Sequence, residues 1–356
     1  MATSRKKVRN VTGLLYSRLG EISINNIAAV CITIGAMKQY DPTVWDDVVA
    51  KLGGGVLQSK AWADFQAVVG RDAVRAMEAE KWAWQGFIRT APRLRYLMLP
   101  YGPVIAQDAA EALGSLVFAG EDQDADFVRI EPIGNVTAED LKAVGAKKIG
   151  EVEPQFTFVV DLTKPEEELK SALDSGHRNR VNTTEKRGIR IEQIRDTSPT
   201  PDFLRLMQDT ASHAGIKNHA DSYYELMAES LIGAGVASYY VSTVEGQSAS
   251  ISLVYDWGGR RYYAHTGNDQ ALNRQYKVAV SAVWRMMLDA KAAGLQSFDF
   301  WGAAPDDSPD HKWAGITSFK KGFGGERVGT IGTWDIPIHR TKYRTYTLYR
   351  KLRGRE

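Results

Sequence analysis

Pro154-Gln-Phe-Thr-Phe-Val-Val-Asp161 is the stretch at which this chain starts over. Proline closes whatever precedes it. The residues after it place Phe156, Phe158 and Val160 on one face of an alternating strand. Working outward to the C-terminus, the pattern predicts a helix over 165–173 and a polar, basic helical stretch over 174–187. A strand at 190–194 follows, then helices at 200–215 and 222–234. Three strands come next, at 237–244, 248–257 and 260–266. A long amphipathic helix over 277–293 leads to a strand at 296–301, a turn or short helix within 313–323, a last strand at 327–334 and a basic, Tyr-rich helix over 339–353.

Upstream of Pro154 the reading is similar but looser. A β-branched run predicts a strand at 28–34, and helical spacing predicts helices at 42–52 and 59–69, the second capped by Ser59. Paired strands at 71–79 and 82–90, a strand at 94–99 and the turn Pro100-Tyr-Gly-Pro103 follow. A helix over 106–116, a strand at 127–132 and a capped helix from Thr137 complete this half. Neither half alternates strand and helix strictly, which argues against a doubly wound sheet. The second half has the element order of an N-acetyltransferase-like fold, and the first reads as a degenerate copy of it, by element order alone. The expected architecture is α+β, with two tandem N-acetyltransferase-like (GNAT) domains. Residues 26–154 with 335–356 form the first and 155–334 the second, after a flexible basic tail at 1–25.

The bulk properties exclude several classes. A chain of 356 residues with 44% hydrophobic and 25% charged residues is long enough for two cores. A formal net charge of +2 gives no global signal for nucleic acid, so any polyanion must meet a local patch. The single cysteine, Cys31, lies in an apolar run and reads as a small buried hydrophobe suited to a reducing compartment. No run approaches the ~20 apolar residues of a membrane span, and no signal peptide is read at the basic start. The expected location is cytoplasmic, and the expected state a monomer. There is no dinucleotide fingerprint, Walker loop or nucleophile elbow. The six histidines lack ligand spacing, so no metal is expected, although His213, His219, His265 and His311 could converge in space. Coenzyme A would need bare backbone amides before the long helix; Gly267-Asn-Asp-Gln-Ala-Leu-Asn-Arg-Gln-Tyr-Lys277 puts bulky residues there instead.

Several stretches together resemble a known family. They are Gln58-Ser-Lys-Ala-Trp62, Leu99-Pro-Tyr-Gly-Pro-Val104, Arg129-Ile-Glu-Pro132, Gln155-Phe-Thr-Phe-Val-Val-Asp-Leu162, Arg178-Asn-Arg-Val-Asn-Thr-Thr-Glu-Lys-Arg-Gly188, Tyr263-Ala-His-Thr-Gly267, Phe298-Asp-Phe-Trp-Gly302 and Phe319-Lys-Lys-Gly-Phe-Gly-Gly325. From about residue 30 onward the chain resembles the FemXAB peptidyltransferases. The resemblance implies two fused acetyltransferase-like domains and transfer of an aminoacyl group from aminoacyl-tRNA to the stem-peptide amine of a peptidoglycan precursor. The aminoacyl-tRNA would be a co-substrate, with no other cofactor. The acceptor would be UDP-MurNAc-pentapeptide or a lipid-linked precursor, with peripheral contact at the inner membrane surface. The stretch 186–223 lacks extended heptads, so the long helical arm of some members is expected to be absent. A coenzyme A-dependent N-acetyltransferase and a non-catalytic RNA- or membrane-surface module of the same fold remain the alternatives.

Aminoacyl transfer creates an oxyanion that must meet a positive charge. Lys320, among small glycines, can supply it, and the family resemblance implies a catalytic role for it and a positioning role for Phe319. A solvated face is the other reading of Lys320-Lys321. Glu131 is a candidate base, or an anchor for the acceptor ammonium, or an ion-pair partner of Arg129. Gln66 and His213 stand where relatives place phosphate-binding residues, and Lys217 and Tyr263 are further candidates for the acceptor. Arg178, Arg180, Lys186 and Arg187 form a basic patch that could grip RNA phosphates. A second patch, over 340–355 with Tyr343, Tyr346 and Tyr349, could face anionic lipid. Either patch could also be an ordinary solvated surface.

Overall fold

A computed structural model describes residues 42–352, apart from 93, 215 and 216. The strand expected at 28–34, Cys31 and the basic tail lie outside the described residues. The fold is α+β and built on two sheets.

The first sheet runs β6-β4-β2-β3-β5-β15-β7, with β1 paired to β2. Its strands are β1 Ala73–Glu78, β2 Trp82–Ala91, β3 Leu94–Leu99, β4 Val104–Ile105, β5 Phe127–Ile130, β6 Ile133–Gly134, β7 Lys147–Lys148 and β15 Trp334–Pro337. The second runs β14-β8-β13-β12-β11-β10-β9. Its strands are β8 Phe156–Asp161, β9 Arg190–Ile194, β10 Ala237–Val244, β11 Gln247–Trp257, β12 Arg260–Asn268, β13 Ser297–Asp299 and β14 Glu326–Gly329. One motif recurs in both. An antiparallel meander ends in a strand, β3 or β12, which a crossover through a helix, α3 (Ala109–Asp122) or α10 (Val278–Ala292), joins to a parallel neighbour, β5 or β13. An antiparallel strand from elsewhere in the chain, β15 or β8, then closes on that neighbour. This is the tandem N-acetyltransferase-like arrangement expected from element order.

The segment before the long helix, Gly267 to Lys277, is itself largely a helix, α9 (Gln270–Tyr276), capped by Asp269. Lys277, at φ +52°, turns it into α10, and the Asn273 side chain accepts from the Ala279 amide 3.1 Å away. One amide of the α10 first turn is therefore already taken by a protein side chain. The strand expected over 327–334 is two strands in different sheets. The chain leaves the second sheet after Gly329, and Trp334 pairs with Ile130 in the first. A run of alternating residues cannot reveal that its two ends serve different sheets.

Packing ties the halves together. Helices α1 (Pro42–Lys51) and α2 (Lys60–Val68) bring Trp45, Val49, Trp62 and Phe65 into a cluster with Tyr239, Leu253 and Tyr255 of the second sheet. The same cluster holds Phe203 and Leu206 of α7 (Thr200–Ala214) and Tyr224 and Met227 of α8 (Asp221–Gly233). Ser59 caps α2 by accepting from the Trp62 amide, a contact worth about 1 kcal/mol. The C-terminal helix α12 (Arg340–Leu352) is held to the first sheet by a buried network. Arg129 grips Asp335 with two hydrogen bonds of 2.7 and 2.8 Å, and the Tyr343 hydroxyl donates to the same carboxylate. Arg129 thus belongs to Asp335, which corrects the reading of an Arg129–Glu131 ion pair. No long helical hairpin occurs among the described residues between 186 and 223; α7 has fifteen residues.

Candidate active site

Lys320 lies near the end of α11 (Ala314–Lys321), and its side chain turns inward, 5% exposed. This excludes the reading of Lys320 as part of a solvated face. Its Nζ donates to the carbonyls of Trp301 and Gly302, each at 2.6 Å. Those carbonyls are available because the chain bends sharply after β13. Trp301 adopts φ +54°, a left-handed conformation that costs a bulky residue roughly 1–2 kcal/mol. Asp299 holds the bend, accepting from the Trp301 amide at 2.8 Å and the Thr157 hydroxyl at 2.7 Å. Burial pushes the Lys320 amine down to about 7, against the opposing pull of Asp299. Lys321, by contrast, is exposed and paired with Asp307.

Two carboxylates stand on the other side of Trp301. Glu131 is fully enclosed. It accepts from the Tyr101 amide at 3.2 Å, the Glu153 amide at 2.8 Å and the Thr333 hydroxyl at 2.9 Å. Burial raises its carboxyl, and these three donors pull it back. A carboxylate so committed organises the turn around it and has no free lone pair facing solvent. Glu153 is different. It is partly exposed, it accepts from the Trp301 side chain, and burial and the nearby Glu131 push it up to about 7. Tyr101, also left-handed at φ +46°, donates its hydroxyl to the Pro154 carbonyl and sets its ring against Trp301. Tyr255 and Tyr262 add edge contacts to the same indole. Trp301 therefore bridges an amine and a carboxylate that both titrate near neutrality, the pattern expected where protons are moved.

Phe319 faces away from this centre. Its ring packs on His177 and Phe323, inside the core behind α11. The buried His177 lies on α6 (Ser175–Asn182), with Nε2 3.1 Å from the Phe319 carbonyl and Nδ1 2.9 Å from Asp174. The Asp174 amide donates to the Gly322 carbonyl. A Cβ on Gly322 would meet Asp174 at 2.4 Å and His177 at 2.6 Å, so only glycine lets α11 end against this pair. Phe319 and His177 therefore fix the helix that carries Lys320.

A family model described as the FemAB family matches residues 133–244 and 248–351. The chain belongs to the FemAB family. Lipid II:glycine glycyltransferase from Staphylococcus aureus strain USA300 is 21% identical, covering 82% of this chain and 90% of that protein. A second Staphylococcus aureus protein of the same name is 25% identical with the same coverage. Among solved structures, FemX superposes with a TM-score of 0.75 at 19% identity, over 86% of this chain and 98% of FemX. L-PGS from Bacillus licheniformis follows the same fold at a TM-score of 0.53 and 13% identity, over 89% of this chain and 97% of its own.

Within this FemAB fold the remaining candidates are scattered. Gln66 is buried; its amide lies 3.4 Å from the Tyr223 hydroxyl and its carbonyl accepts from Arg71 at 3.0 Å. His213 is exposed on α7, its Nδ1 2.9 Å from the Asp209 carbonyl one turn back, and Lys217 is exposed in the following loop. Tyr263 packs between Phe298 and Phe300, with its hydroxyl bonded to Thr266 and Ser252. It is committed to the second sheet. Arg178 donates to the Ser171 carbonyl, and Arg187 to the Tyr276 carbonyl and the Thr183 hydroxyl, so both brace local structure. Arg180 and Lys186 make no hydrogen bond or ion pair among the described residues and remain available to a polyanion. His219 and His265 both approach Tyr224, whereas His311 bonds locally to the Trp313 amide. No group of three metal-ligating side chains occurs among the described residues. No described helix is long and apolar enough to cross a membrane.

The residues that sequence reading missed are Glu153, Trp301 and Tyr101. The signals were present but quoted for other reasons. Glu153 immediately precedes Pro154, Tyr101 sits in the Pro100-Tyr-Gly-Pro103 turn, and Trp301 ends the motif Phe298-Asp-Phe-Trp-Gly302.

Proposed function

We propose that this protein transfers an aminoacyl group from aminoacyl-tRNA to the stem-peptide amine of a peptidoglycan precursor, forming an interpeptide bridge. The observation that carries the proposal is Lys320, a buried amine held near neutrality at the end of β13 and bridged through Trp301 to Glu153. The printed names of the Staphylococcus aureus relatives, glycyltransferases of lipid II, supply the substrate class.

In the proposed reaction the acceptor ammonium gives its proton to the Glu153 carboxylate. The freed amine attacks the ester carbonyl of the aminoacyl-tRNA, and the carbonyl electron pair moves to oxygen. Cationic Lys320 stabilises that oxyanion in a site shielded from water, where a charge counts for far more than in bulk solvent. The attached nitrogen gives up a proton as the intermediate collapses, the ester C–O bond breaks, and the ribose oxygen takes that proton and leaves as a hydroxyl. An amide has formed, and no redox partner is required. Arg180 and Lys186 are the residues we assign to tRNA phosphates. The work is done in the cytoplasm, at the membrane face where a lipid-linked acceptor is presented. Asn273 occupies one amide of the α10 N-terminus and the helix α9 stands before it, which disfavours the coenzyme A alternative.

Incubation of the protein with charged tRNA and a muramyl pentapeptide precursor tests this reading. Mass spectrometry should detect the precursor extended by one aminoacyl residue. Acetyl transfer from coenzyme A, with no product from any charged tRNA, would overturn it.

A further inference from the structure

The C-terminal helix α12 has two faces of opposite character. Its inner face packs on the first sheet. Tyr343 is buried and donates to Asp335, its ring meets Phe127 edge-on at 5.4 Å, and Tyr346 stacks on the same ring at 5.3 Å. With about 3.6 residues per turn, the opposite face carries Thr341, Arg344, Thr345, Leu348 and Leu352. Leu348 is 60% exposed and Leu352 79%, and Tyr349 beside them is 51% exposed. These are three of the eight large hydrophobic side chains exposed among the described residues, and nowhere else do three fall within five positions. Arg340, Arg344 and Lys351 flank the apolar strip on one side and Lys342 on the other. The helix holds five basic residues and no acidic one. Two carboxylates approach its start, and both are engaged there, Asp124 with His339 at 3.2 Å and Asp126 with Lys342 at 2.8 Å. Arg340 and Arg344 make no ion pair or side-chain hydrogen bond among the described residues.

An apolar strip between basic flanks matches the interfacial zone of a bilayer, where leucines enter the acyl boundary and arginines meet lipid phosphates. RNA is gripped by cations and stacking rings, and leucines at the centre of the face give it neither. At thirteen residues α12 is about 20 Å long, too short to cross a hydrocarbon core of about 30 Å and suited to lying along its surface. We infer that the outer face of α12 docks this protein on an anionic membrane surface. Two successive side-chain rungs join the strands beneath the helix, Arg129 to Asp335 and Glu131 to Thr333. Glu131 also accepts from the Glu153 amide, so α12 is anchored one rung from the two carboxylates of the candidate centre. Docking through α12 brings that centre to the surface where a lipid-linked acceptor presents its stem peptide. What the docking serves rests on the transferase reading; the surface itself stands on the charge and exposure of α12.

The test is co-sedimentation of the full chain with vesicles, without donor or acceptor. Phosphatidylcholine vesicles containing about one-third phosphatidylglycerol should carry the protein down at low salt, and pure phosphatidylcholine should not. Added salt should weaken the binding, because it screens exposed charges. Arg340→Gln and Arg344→Gln should each lower vesicle affinity about fivefold, and the pair about 25-fold. Leu348→Ser combined with Leu352→Ser should lower it about tenfold with the net charge unchanged. All four side chains are exposed, so circular dichroism and Tm should match wild type in every variant. Thr345→Leu widens the apolar strip and should tighten binding. Vesicle binding that is absent in wild type, or unchanged in either pair, overturns the inference. A solution dimer that the leucine pair abolishes, with no vesicle binding, would overturn it by assigning the face to a second copy. Loss of charged-tRNA affinity in the arginine pair, with vesicle binding intact, would overturn it in favour of RNA. No turnover is measured, so failure of the transferase reading leaves the vesicle result standing, and failure here leaves the transfer experiment standing.

Discussion

Replacing Lys320 by Met should change how stability depends on pH, by an amount that follows from burial. The amine has an ordinary value of 10.5 and is held at about 7 in the fold. Its folded value lies below its unfolded value, so between them the unfolded chain binds the extra proton. Stability therefore rises with pH across that window. The penalty is fully present below about pH 7 and gone above about pH 10.5. Near pH 7 it is on the order of 4 kcal/mol for wild type and absent in Lys320→Met. The variant also loses the bonds to the Trp301 and Gly302 carbonyls, at about 1–3 kcal/mol for each left unsatisfied, but that loss is independent of pH. Guanidinium unfolding of both proteins over this range would measure the difference, and other titrations cancel in it. The wild-type curve should climb relative to the variant by about 1.4 kcal/mol per pH unit. Parallel curves would refute a neutral-range Lys320, and with it the electrostatic tuning of the site.

Glu153→Gln should lower kcat by about 100-fold or more, as loss of a general base does, and remove the ascending limb of the pH–rate profile near 7. The descending limb, set by deprotonation of Lys320 near the same pH, should persist. Glu131→Gln should act mainly on thermal stability, since its carboxylate serves Tyr101, Glu153 and Thr333. Asp335→Asn should destabilise by about 3–5 kcal/mol in chemical denaturation, because it leaves Arg129 buried without its partner. His177→Ala should depress kcat and shift the Lys320-dependent limb of the pH profile while sparing KM for either substrate, because it frees the end of α11 rather than a substrate contact.

Much of the fold was legible because its strands carry a two-residue period and its helices announce their caps. Strands Arg190–Ile194 and Ala237–Val244 begin and end where the sequence places them, and Thr137 forms the expected capping box. What was not legible is long-range. Nothing local says that the run 327–334 divides between two sheets, or that α9 fills the segment before α10. The site divides in the same way. Lys320 could be read from its glycine-rich surroundings. Glu131 and Glu153, by contrast, are exchanged as candidates only when their hydrogen bonds are counted. A carboxylate with three donors and one with a single indole partner look alike in sequence.

The central claim is that Lys320 supplies the charge for aminoacyl transfer. Single-turnover transfer from radiolabelled aminoacyl-tRNA to the pentapeptide precursor measures it directly, with wild type and a folded Lys320→Met variant side by side. The rate should fall by about 100- to 1000-fold in the variant, the loss expected when one oxyanion-stabilising group is removed. A variant that transfers at the wild-type rate would contradict it.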